Sequence, residues 1–248
     1  MQKDYLVIKL LDSGFRSREL DSGQVVSIKT KVRWDLERET WAVVELDTIT
    51  VEVAKEWKFG ITKYVSGEIV NHVFRTENLA VPPLEFEILP GNECEFKDYT
   101  GFGFYGENSD PVFESTELDT FAERYALLTK LWEDYPQCID ALNHIGSLYL
   151  GNRKMFWNAR NCYEAAVFIA EQALPKDSKM VFPWLYLNNR PYLRALHGLC
   201  LVYWKMGNFK DAEKVCEKLL SVCPMDNLGA RFLLGEIKAK KEWREEAR

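Results

Sequence analysis

The stretch Leu193–Pro224, LRALHGLCLVYWKMGNFKDAEKVCEKLLSVCP, decides how the second half of this chain is read. Leu196, Leu199, Cys200 and Tyr203 recur at three- and four-residue intervals, so they share one face of a helix. Ala212, Cys216, Leu219 and Leu220 do the same beyond a tight turn at Gly207-Asn208, and Pro224 stops the second helix. Small residues stand where the two helices must approach closely, and aromatic residues fill the wedge between them. The spacing predicts a helix-turn-helix pair.

One such pair cannot bury its own apolar face and needs neighbours. Upstream, DALNHIGSLYLGNRKMFWNARNCYEAAVFIAEQALP (Asp140–Pro175) places Leu142, Ile145, Gly146 and Tyr149 on a first helix. Ala159, Tyr163 and Ala166 follow on a second, with one extra residue in the turn and Pro175 as the stop. Downstream, Ala230, Leu233, Leu234 and Ile237 have first-helix spacing, and LDTFAERYALLTKLWEDYP before Pro136 reads as a lone second helix. These units resemble the tetratricopeptide repeat, a helix-turn-helix of about 34 residues, over residues 117–248. Helices are expected to end near Pro136, Gly151, Pro175, Gly207 and Pro224. Ala159 and Ala212 hold equivalent places yet stand 53 apart, so roughly 19 residues exceed one repeat. The excess maps to an apolar insertion at 176–190, KDSKMVFPWLYLNNR, read as a lid packed on the helices or as a contact patch.

The resemblance implies a curved solenoid whose inner surface, lined by first helices, binds a peptide or another protein. Carried onto this sequence, that surface presents Asn143 and Ser147 from one copy and Arg194, His197, Leu201, Trp204 and Lys205 from the next. The partial third copy adds Arg231 and Lys238. Basic forks and an indole face suit an extended peptide bearing acidic side chains or a terminal carboxylate. Asn143 stands where the family's carboxylate clamp has a lysine.

The first 97 residues follow a different period. Val25–Trp34 alternates, Trp41–Val53 is rich in β-branched residues, and Lys58–Tyr64 and Glu68–Phe74 bracket a turn expected at Ser66-Gly67-Glu68. Leu84–Leu89 adds a last strand after Pro82-Pro83. The pattern gives a mainly antiparallel β domain over 1–97, with a small barrel and a two-layer sandwich both open. Residues 98–116, including the aromatic GFGFYG, form a linker expected to pack rather than to hang free.

The formal charge of −6 is uneven: residues 1–100 hold 13 Lys+Arg against 18 Asp+Glu, while 187–248 hold 12 against 8. An acidic β domain lacks the positive field of a nucleic-acid binder, so nucleic acid is an unexpected partner. Six cysteines without CxxC spacing read as packing thiols, and no metal or other cofactor is expected. Three histidines, at 72, 144 and 197, lack metal spacing, and there is no nucleophile elbow or phosphate loop. No catalytic residue is assigned. No apolar run reaches the length of a membrane span. The chain thus reads as a cytoplasmic, non-enzymatic α+β protein that binds another protein or peptide, with self-association left open. Its alternative is an enzyme, or a nucleic-acid-binding regulator, whose site lies in the β domain. A polar pocket enclosing His72 with Glu68 or Glu77 would mark the enzyme, and a basic, aromatic-studded sheet the nucleic-acid binder.

Overall fold

The computed structural model describes residues 1–30, 34–35, 40–41, 43–98, 110–152, 155–175 and 179–244. Contacts divide the chain into two units, Met1–Ala80 and Val81–Arg248. The first is β and the second carries the helices, so the protein is α+β in the order expected.

The first unit is a closed barrel of five strands: β1 (Gln2–Leu11), β2 (Gly14–Glu19), β3 (Val25–Lys29), β6 (Asp47–Phe59) and β7 (Thr62–Phe74). A short pair, β4 (Trp34–Asp35) and β5 (Thr40–Trp41), lies between β3 and β6 in the chain. The order is β1-β2-β3-β7-β6, antiparallel throughout except where β3 meets β7 in parallel, Val26 opposite Lys63 and Ile28 opposite Val65. Tyr5, Val7, Phe15, Val26, Ile28, Ile49, Val51 and Val65 fill the interior. Alternation along each strand sends these residues inward and their neighbours out.

The turn expected at residues 66–68 is absent. β7 runs straight through it, and the chain reverses instead at Gly60-Ile61, with Gly60 at φ +59°. Gly67 is present for a different reason: a Cβ there would stand 2.2 Å from the Glu52 carbonyl oxygen. The β6–β7 pairing shifts register at Thr50/Val51 and at Val53/Lys55, irregularities of the kind that bend a hairpin.

The second unit begins with a hairpin, β8 (Phe86–Leu89) and β9 (Glu93–Phe96), so residues 81–97 belong with the helices and not, as expected, with the β domain. The hairpin is fastened to the helical unit. The Cys94 amide donates to the Val181 carbonyl at 2.8 Å, and buried Asn189 holds the Phe96 amide at 3.1 Å and the Cys94 carbonyl at 2.7 Å. Phe96 stacks on Phe182 with centroids 5.0 Å apart, and Tyr192 meets both rings edge-on. The 176–190 insertion, described from residue 179, therefore supplies core at Phe182 while Leu185 stays 79% exposed.

Seven helices follow among the described residues: α1 (Pro111–Glu117), α2 (Phe121–Asp134), α3 (Ile139–Leu150), α4 (Phe156–Glu171), α5 (Arg190–Lys205), α6 (Phe209–Val222) and α7 (Ala230–Lys238). Part of the expected linker is helix α1, capped by Asp110 onto the Val112 amide, while residues 99–109 lie outside the described residues. A reciprocal capping box, Thr120 with Glu123, opens α2. Helices α2, α3, α5 and α6 stop within two residues of Pro136, Gly151, Gly207 and Pro224; α4 stops at Glu171, four before Pro175. Successive helices pack on one another, and α5 contacts both α3 and α4. Ala159, Ala166, Ala212 and Ala230 are fully buried, as are the thiols of Cys200 and Cys216, with Cys162 at 1%.

Candidate functional site

The packing of one ring explains how the helix pairs join. Tyr163 of α4 is wedged between Gly146 of α3 and Gly198 of α5, where an added Cβ would stand 2.9 Å and 2.2 Å from ring atoms. Glycine at both places lets the first helix of one pair close on the ring of the other. Burial holds the Tyr163 phenol protonated well above its ordinary pKa.

This junction sets α3 and α5 close enough for their polar side chains to meet. Arg194 donates to both carboxylate oxygens of Asp140, Nε at 3.1 Å and Nη2 at 2.5 Å. Asn143 joins them: its amide donates to Asp140 at 3.0 Å and to the Pro191 carbonyl at 2.7 Å, and its own side-chain oxygen is buried without a partner among the described residues. His144 lies beside the pair, its pKa lowered by burial although Asp140 opposes the shift. Asp140 is the residue that residue typing missed. It sits three before Asn143 in α3, on the same face, one turn outside the residues that the resemblance assigns to the groove.

The other expected residues fall into separate clusters. His197 is likewise driven toward its neutral form by burial, with Asp226 opposing. Asp226 also accepts from the Ala230 and Arg231 amides at 2.6 and 3.1 Å, while the Arg231 side chain turns to the Pro224 carbonyl. Lys238 binds Glu217 at 2.7 Å and Glu213 at 3.5 Å, so its ammonium is tied to α6. Ser147 is exposed and Leu201 half-buried. Trp204 and Lys205 form a third group at the end of α5 with Phe156 and Trp243, around a cleft of about 500 Å³, its lining completed by Met206, Gly207 and Glu242. The face is thus not one basic stripe. It is a set of separate bases, of which Arg194 and Lys238 pair with carboxylates of the same unit.

In the barrel, Lys3 and Lys63 form a four-member ring with Glu19 and Glu56, at 2.7 Å from Lys3 to each carboxylate and 3.7 and 3.1 Å from Lys63. Hydrogen bonds from Lys3, above all, hold both carboxyls below the usual carboxylate range. Among the described residues the buried hydroxyls of Tyr5 and Ser17 have no hydrogen-bond partner, and burial pushes the Tyr5 phenol up to about 12. On the β6–β7 hairpin, Trp57 and Tyr64 stack at 5.4 Å, with the Lys55 ammonium 5.6 Å from the first ring and Lys29 5.9 Å from the second. His72 is half-buried on β7 opposite Ile49, and Glu77 is exposed. Among the described residues, no three His, Cys, Asp or Glu side chains converge as metal ligands, and no helix is long and apolar enough to cross a membrane.

No family model matches this chain, and neither the curated proteins nor the solved structures give a match.

Proposed function

We propose that the helical unit is a tetratricopeptide-like binding module that holds an extended peptide of another protein across α3 and α5. The observation that carries this reading is the Tyr163 junction. It joins two helix pairs through glycines and so sets two first helices side by side, the arrangement a repeat solenoid needs. The paired Asp140 and Arg194 refine the partner's chemistry. Arg194 can reach an acidic peptide only by giving up hydrogen bonds to Asp140, so an acidic ligand competes with that carboxylate. Partners captured from the native cell by the full chain supply the test. Arg194→Ala should weaken an acidic partner by about tenfold, the size of one charge-assisted hydrogen bond, and Asp140→Asn should strengthen it. A partner indifferent to both changes removes this surface from the function.

A second reading has its own observation. The acidity assigned to the β region belongs mostly to residues 81–100, which hold one Lys+Arg against five Asp+Glu; residues 1–80 hold 12 against 13. The barrel unit alone is nearly neutral, and it displays the stacked Trp57–Tyr64 pair flanked by Lys29 and Lys55. Aromatic faces between lysines suit the bases and phosphates of a single strand. A titration with oligo(dT) at low salt tests it: binding that falls with Trp57→Ala and with added salt supports a nucleic-acid surface, and no binding excludes it.

A further inference from the structure

Trp204 and Lys205, expected on the groove, stand apart from Arg194 at the end of α5 in an arrangement of their own. After α7 the chain returns along Lys240–Arg244, and this strap is fastened to α5 by three contacts. The Trp204 indole N–H donates to the Lys241 carbonyl at 2.7 Å. The Trp243 ring meets Trp204 edge-to-face with centroids 4.9 Å apart. The Lys205 ammonium lies 4.7 Å from the Trp243 ring centre and 5.8 Å from that of Phe156. A backbone carbonyl bound by an indole, an aromatic side chain on an aromatic wall and a cation over its ring are the contacts an extended peptide makes in a groove. The fit is incomplete, because the buried Trp243 indole N–H finds no acceptor among the described residues. Trp243 also walls an open cleft of about 500 Å³ beside it, so the strap leaves part of this surface uncovered.

We infer that the cleft formed by Phe156, Trp204 and Lys205 is a docking site for a tryptophan-bearing extended peptide, and that the chain's own Lys240–Arg244 strap occupies it as an intramolecular competitor. The inference rests on the proposed function, of which it names the anchor residue of the partner. A partner takes the cleft by displacing Trp243 and supplying an acceptor for its own indole N–H. The covalent tether gives the strap an effective concentration in the millimolar range, so a peptide with a dissociation constant near 100 µM for the open cleft loses about tenfold to the strap.

The probe is the strap itself, a labelled peptide AKKEWREEAR (Ala239–Arg248), followed by fluorescence anisotropy. Three proteins are compared: the full chain, the full chain with Trp243→Ala, and a chain ending at Lys238. The Trp243→Ala protein should bind the peptide about tenfold more tightly than the unchanged chain, and the chain ending at Lys238 at least as tightly. A peptide with alanine in place of its tryptophan should lose about tenfold or more on the opened cleft. Should the shortened chain fail to fold, the Trp243→Ala protein carries the same comparison. Absence of peptide binding by a folded Trp243→Ala protein overturns the docking site. Equal binding with and without Trp243 overturns the competition. A captured partner that depends on Arg194 but ignores Trp243→Ala retains the α3–α5 groove and removes only this cleft, so the two failures are distinguishable.

Discussion

The barrel and the helical unit fill their interiors by different means, although both bury polar groups. The barrel admits charge: Lys3, Glu19, Glu56 and Lys63 ring one part of its wall, and two hydroxyls, of Tyr5 and Ser17, are buried unpaired among the described residues. The helices close their centre with alanines, thiols and one aromatic ring on two glycines, and push most ionic pairs to the faces of α3, α5 and α6. The difference follows from geometry. A closed barrel has a fixed bore that strand number dictates, so polar side chains near its ends must pair inside it. Helices can slide together until small residues touch. Close approach of small residues is therefore the device that marks the helical unit, and a ring of ion pairs the one that marks the barrel.

That contrast is broken most severely at Tyr163. Tyr163→Ala removes the ring on which α3 and α5 close and leaves a cavity at the junction, a change that costs about 3–5 kcal/mol for large aromatic residues. Denaturant melts followed by residue-resolved hydrogen exchange should show the loss in 81–248 and not in 1–80. An equal loss in both units, or a loss under 1 kcal/mol, would falsify the junction as the element that joins the pairs.

Gly198→Ala comes next. The methyl would lie 2.2 Å from a ring atom, and overpacking of this kind costs about 1–3 kcal/mol, partly offset by about 1 kcal/mol of helix propensity. Gly146→Ala, at 2.9 Å, should cost less. Both measured together give the sign of the effect directly: if Gly146→Ala is the more damaging, α3 and α5 are not arranged around Tyr163 as described.

These residues also show what the sequence made legible. The helices emerge from local periodicity, because contacts three and four residues apart are set by the helix itself. Gly146, Tyr163, Ala159 and Ala212 could be placed on the right faces for that reason. Barrel pairings join residues far apart in the chain: nothing near Val26 names Lys63, its parallel partner. Gly67 was read as a turn because a glycine's close backbone approach and its turn use look alike without the partner strand. The hairpin 86–96 reads as more β domain for the same reason, since Val181 and Asn189, which hold it, lie over 80 residues away. At the proposed groove, Arg194, His197 and Arg231 were found by type, whereas Asp140 and Asp226, which take up their charge or amides, were visible only once α3, α5 and the 224–230 turn were placed.

Acid separates the units by a smaller margin. Glu19 and Glu56 have folded pKa values below the ordinary 4.5, so their contribution is full above that value and is lost as pH falls through the lower folded values. His144 and His197 are also depressed, by burial, below the ordinary 6.5, against the pull of Asp140 and Asp226. Their neutral forms favour the folded state, so that contribution is full above 6.5 and declines below it. Helical-unit protection should therefore begin to fall at a higher pH than barrel protection. Exchange measured between pH 7 and pH 4 checks the order, and simultaneous loss would mean that histidine burial contributes nothing to the difference.

The smallest expected effect tests which unit owns the hairpin. Glu87 and Glu95 stand directly opposite each other on β8 and β9, and Glu95 is already engaged by Asn188 at 3.3 Å. Like charges facing across an antiparallel pair destabilise it, and opposite charges contribute about 0.2–1 kcal/mol. Glu87 is exposed, so a lysine there can reach Glu95 without disturbing buried Phe96 or Cys94 on the other face. Glu87→Lys should stabilise the protein by a few tenths of a kcal/mol, an effect that salt screens. Because Cys94 and Phe96 are bound to Val181 and Asn189, the gain belongs to the helical unit's transition. If it appears instead in the melting of residues 1–80, the hairpin is part of the barrel's cooperative unit, and the contrast between the units must be redrawn at residue 97 rather than at Ala80.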